Sequence, residues 1–122
     1  MNFHNYAWAD SQIEKINIEY DLATLFIWND VLDKMLTVEC SGLAGITNLC
    51  IWDDTIISEA DVFPVLNEDN DFLRNLYQAY SKGIDYGGRT LETGFLELRI
   101  ELVNNIPFSI YCQNIEVKEC DE

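Results

Sequence analysis

Basic residues are scarce in this chain: 7 Lys and Arg stand against 22 Asp and Glu, a formal net charge of -15 over 122 residues. Phosphate recognition needs clustered Lys and Arg that release counterions, so direct nucleic-acid binding is disfavoured. Histidine is scarcer still. Any Ser-His-Asp, Cys-His or multi-histidine metal arrangement would have to run through His4, close to a terminus expected to be mobile. Cys40, Cys50, Cys112 and Cys120 contain no Cys-x-x-Cys knuckle, the spacing that sets two thiolates on one zinc. The glycines at 42, 45, 87 and 88 lack the strand and lysine context of a phosphate loop and read as turns. No stretch approaches the roughly 20 apolar residues that cross a bilayer. Residues 1–20 lack the basic opening and apolar run of a secretion signal. The expectation is a cytoplasmic, non-enzymatic protein with reduced thiols, no membrane or nucleic-acid partner, and no cofactor or metal.

What the chain does contain is core-forming material. Hydrophobic residues make up 48% and aromatics 12%, too rich for disorder despite the charge, and the length suits one acidic globular domain spanning residues 1–122. Period-2 alternation marks strands within 11–20 (Ile16, Ile18 and Tyr20 on one side) and at 35–40, where Leu36, Val38 and Cys40 share a face, and 25–28 is rich in β-formers. Turns are expected at Asp21 and at Asn29-Asp30. Less regular strands follow at 46–52 and 56–62, closed by Pro64.

Residues 71–82 carry Phe72, Leu73, Leu76, Tyr77 and Tyr80 at helical spacing, with Asp69, Asn70 and Asp71 able to cap the start and Gly83 the end. Alternation returns at 95–103, with Leu96, Leu98, Ile100 and Leu102 inward and Glu97, Arg99 and Glu101 outward. A hairpin at Asn104-Asn105 leads to strands at 108–112 and 114–118. The predicted class is α+β: a twisted antiparallel sheet of about six to eight short strands with one main α-helix. A faint echo links 25–40 with 96–112, each a strand, an Asn-containing turn and a strand ending in cysteine.

Between Lys34 and Arg74 there is no basic residue, while acids accumulate. The candidate partner-binding residues are Trp52, Asp53, Asp54, Glu59, Asp61, Glu68, Asp69 and Asp71, with Phe63 beside Asp61. Acids around aromatics place an adhesive centre inside a steering rim. Residues 67–71 supply oxygen ligands but lack the central glycine and terminal glutamate of an EF-hand.

The succession Ala9-Asp10-Ser11-Gln12-Ile13, followed by 16–20, 25–28, 36–40 and 42–46, resembles the opening of small β-rich bacterial immunity proteins encoded beside polymorphic or contact-dependent toxins. Ala9 stands where a histidine is expected in those relatives. The resemblance implies inhibition by occlusion: the protein binds a cognate basic toxin, of the nuclease class, over its active or substrate-binding surface. Carboxylates would then take positions otherwise filled by phosphates. Two alternatives belong to other classes: a structural or regulatory interaction module that forms a homodimer, leaving the state monomer or homodimer, and a small carboxylate- or metal-dependent hydrolase.

Overall fold

The computed structural model describes residues 2–47, 55–65, 95–103 and 107–120. Alternation decides the strands. In β3 (Lys34–Ser41) Leu36, Val38 and Cys40 are fully buried and the residues between them face out. Its partner β2 (Leu22–Asn29) does the same with Ala23, Leu25 and Ile27. In β1 (Gln12–Glu19) the register slips between Ile13 and Lys15. That extra residue keeps Ile16 opposite Leu25 and Ile18 opposite Ala23, on the inner side. The end of β1 nevertheless runs past the core, leaving Ile18 and Tyr20 exposed. Tyr20 (φ 51°) and Asp21 form the β1–β2 turn.

The remaining strands are β4 (Gly45–Thr47), β5 (Ile57–Pro64), β6 (Leu96–Leu102), β7 (Phe108–Cys112) and β8 (Asn114–Glu119). They assemble into two antiparallel four-stranded sheets, β1-β2-β3-β8 and β4-β7-β6-β5. The expectation of an α+β domain with one main helix is thereby overturned. The described residues are nearly all β, and the sole helical element among them is a 3-10 turn at Phe3–Asn5. The described apolar segments are strands: β2 and β3 bury alternate residues on one face, and β7 is a short run buried throughout. The predicted helix at 71–82, the Asn104-Asn105 turn and most of the predicted 46–52 strand lie outside the described residues.

A two-fold plan underlies the topology. β1-β2-β3 is a meander whose next strand, β4, crosses to pair with β7; β5-β6-β7 is a meander whose next strand, β8, crosses to pair with β3. The first strand of each half carries a register shift near its start, at Ile13/Lys15 and at Ile57/Glu59. The two echoing segments supply the central pairs, β2–β3 and β6–β7. Between those first strands, Ile57 N–H donates to the Ser11 carbonyl (2.7 Å) and Ile13 N–H to that of Thr55 (3.0 Å). The outer strands β1 and β5 are thereby tied to each other, while β8 and β4 are the outer strands at the other ends of their sheets.

The crossing point has a steric requirement. Gly42 has φ +65° and packs on Gln113, whose N–H donates to the Ser41 carbonyl (3.0 Å) as β3 gives way to β4 and β7 to β8. Here the backbone approaches closely in a left-handed conformation, which glycine alone adopts without strain.

The N-terminal segment is anchored, contrary to the mobile terminus expected. Phe3 and Trp8 are buried and stacked, with ring centroids 4.7 Å apart, and the Trp8 indole N–H donates to the Phe3 carbonyl. Buried Asn29 holds this segment to the β2–β3 turn: its Nδ2 donates to the Ala7 carbonyl (2.8 Å) and its Oδ1 accepts from Leu32 N–H (2.9 Å). Asn29→Ala strands both partners in a partly buried site, so urea unfolding should show a loss of about 1–3 kcal/mol with little change in slope.

Cys40 and Cys112 are buried in the core; Cys120 is partly exposed. A hydrogen bond with Cys112, and then burial, push the Cys40 thiol far above its usual range. Because only the thiolate reacts readily, an alkylating reagent should label Cys120 in the native protein and reach Cys40 and Cys112 about a thousandfold or more slowly, through global unfolding. Mass spectrometry of the labelled peptides checks this.

Candidate functional site

The outer faces of the two sheets carry different charge. On the first sheet Glu39 faces Glu116 across the β3–β8 pair, with Lys118 Nζ 2.8 Å from Glu39 Oε2, while Lys34 Nζ, 3.3 Å from Glu119 Oε1, pairs on the inner phase of the strands beyond the core. The hydrogen bond to Glu39, and then the charges of Glu39 and Glu116, raise the Lys118 ammonium above its usual range. Lys15 sits 5.3 Å over the Phe26 ring.

On the second sheet the matching register positions hold acids. Where Lys15 faces Phe26 in the first half, Glu59 faces Glu101 in the second; where Asn17 faces Thr24, Asp61 faces Arg99. Alternation along β5 places Glu59, Asp61 and Phe63 on one face, and β6 adds Glu101 and Arg99. These five line a shallow pocket. Phe63 is 39% exposed, enough aromatic surface to make an anchor.

Two like charges directly opposite each other across a strand pair destabilise it. The cation of the pocket, Arg99, stands opposite Asp61 and also reaches beyond the pocket. Arg99 Nε donates to Glu97 Oε2 at 3.1 Å, and its guanidinium carbon lies 5.0 Å from the Phe63 ring centroid. Glu97, expected to point outward into water, is instead buried. Its carboxylate is compensated there by Arg99 and by the Ser109 hydroxyl, which donates at 2.6 Å. Arg99 thus links a buried carboxylate to the rim of an acidic pocket.

A second depression adjoins the first, between β5 and the N-terminal turn, and Glu59 and Asp61 line both. His4 contributes to its wall, with Nδ1 3.6 Å from Asp61 Oδ1; the same oxygen accepts the Val62 N–H at 2.8 Å. His4 and Asp61 are each about half exposed, so this contact is a surface one.

Of the candidate partner-binding residues, Glu59 and Asp61 come together here with Phe63. Trp52, Asp53, Asp54, Glu68, Asp69 and Asp71 lie outside the described residues. Sequence reasoning missed Glu101 and Arg99 as members of the site. The outward phase of β6 was readable, but its pairing with β5, some forty residues away, was not. Among the described residues, no three His, Cys, Asp or Glu side chains are grouped to hold a metal ion. No helix among them is long and apolar enough to cross a membrane. Neither a family model, nor a curated protein, nor a solved structure matches the chain.

Proposed function

We propose that this chain is a cytoplasmic immunity protein without turnover of its own, which binds a basic toxin of the nuclease class and occludes its active or substrate-binding surface. The observation that carries the reading is the opposition of Glu59 and Glu101 beside Asp61 and half-exposed Phe63. The register sets those two acids directly opposite each other, an arrangement unfavourable on its own. An incoming Lys or Arg relieves it, so the geometry favours the bound state over the free one.

The overall charge acts in the same direction. A net charge of -15 steers a cationic partner toward the protein and can raise association rates by about 10- to 1,000-fold, an advantage that salt removes. Phe63 supplies apolar contact at the centre, and the acids fix its rim. On the β5–β6 face Glu59, Asp61 and Glu101 surround a single cation, Arg99, beside Phe63.

The test is a titration of the product of a toxin gene found next to this one with the purified protein. The toxin's activity should fall linearly to zero at a stoichiometric amount of the protein, and the inhibition should weaken as salt is raised. Undiminished toxin activity at a large excess of protein would refute the proposal.

A further inference from the structure

β8 is an outer strand of its sheet, and among the described residues the side chain of Asn2 bonds to the edge it turns away from β3. Asn2 Nδ2 donates to the Val117 carbonyl at 2.8 Å, and Asn2 Oδ1 accepts the Val117 N–H at 2.8 Å. A carboxamide is chemically a peptide group, so Asn2 makes at Val117 the same two bonds that a residue of an added strand would make. Beside it lies an open depression lined by Asn2, Asn114, Ile115 and Glu116. We propose that the β8 edge is a self-pairing surface for a second copy of this chain, held shut by Asn2.

The register follows from the ladder. Val117 turns its backbone groups away from β3, and residues two along the strand repeat that direction. Two β8 edges meeting antiparallel about a two-fold axis at Val117 therefore exchange bonds between the two Val117 residues, and between Ile115 and Glu119 of opposite copies. Glu116 of one copy then lies directly opposite Lys118 of the other, in the closely spaced pair without hydrogen bonds. Both side chains are exposed on the outer face. That gives two complementary charge pairs per dimer, which is what selects a second copy over an arbitrary strand. The net charge of each copy opposes approach from afar, but that long-range repulsion is screened at physiological salt while the contact pairs persist.

Sedimentation of the full chain over a range of concentrations tests this. Asn2→Ala should self-associate at least about tenfold more tightly than the parent, its mass rising toward twice the 14.1 kDa monomer. Asn2→Asp, which keeps the acceptor for the Val117 N–H and loses the donor to its carbonyl, should move the same way. Adding Glu116→Lys to Asn2→Ala sets lysine opposite lysine and should restore the monomer; adding Lys118→Glu as well should bring the dimer back. Near-UV circular dichroism establishes that each variant is folded. Folded Asn2→Ala and Asn2→Asp proteins that remain as monomeric as the parent would overturn the proposal, as would a dimer indifferent to Glu116→Lys.

Discussion

Gly42→Ala should cost about 2–4 kcal/mol of folding stability, combining left-handed backbone strain with overpacking. At φ +65° a Cβ on residue 42 would lie 2.5 Å from Gln113 Oε1 and 2.8 Å from Gln113 Cβ. The amide end of Gln113 can swing away. Its Cβ is fixed to the backbone and cannot, so the crossing point itself must move. Because β3/β4 and β7/β8 are joined there, the disturbance reaches both sheets. Adding Gln113→Gly should recover the steric part of the loss and leave the backbone part. Urea unfolding of the single and double variants measures both, and an unchanged midpoint for Gly42→Ala would show that the corner is not under this constraint.

Glu59→Lys should make the protein more stable and its binding weaker. The substitution turns the Glu59–Glu101 repulsion into an attraction, worth about 0.5–1 kcal/mol at a cross-strand position. The same change puts a cation where a basic partner is to dock, and the association rate should fall by about tenfold or more at low salt. Opposite signs in the two measurements are the mark of a surface kept for binding at some cost to folding. Phe63→Ala should act through the other rate: losing an aromatic anchor of hot-spot type speeds dissociation about 30-fold, with the association rate little changed. If Glu59→Lys left affinity intact while raising stability, the acidic pair would have no part in binding.

The sequence was most legible where one face is wholly buried. Leu36, Val38 and Cys40 in β3, and Leu98, Ile100 and Leu102 in β6, lie where their spacing places them. Pro64 ends β5 and Pro107 stands just before β7, as the lack of an amide donor requires. Illegibility began wherever pairing is long-range. The exchange of β4 and β8 between the two meanders leaves no local mark except Gly42. Glu97 has the outward phase of its strand and yet is buried, because Ser109 and Arg99 of neighbouring positions satisfy its carboxylate. Phe3 and Trp8 read as part of a loose terminus, since their burial depends on residues distant in the chain. For the site, Glu59, Asp61 and Phe63 could be read as one face of a strand. That Glu101 stands opposite Glu59 could not.

Comparison of salt dependence between the parent protein and the Glu59→Lys/Asp61→Lys/Glu101→Lys variant, each titrated against the product of a neighbouring toxin gene, is the most direct measurement. If the β5–β6 face meets the cationic surface of the toxin, the parent's affinity should fall steeply with rising salt, and the variant should bind more weakly with a much shallower slope. Equal affinities and parallel slopes would place the contact elsewhere and contradict this assignment.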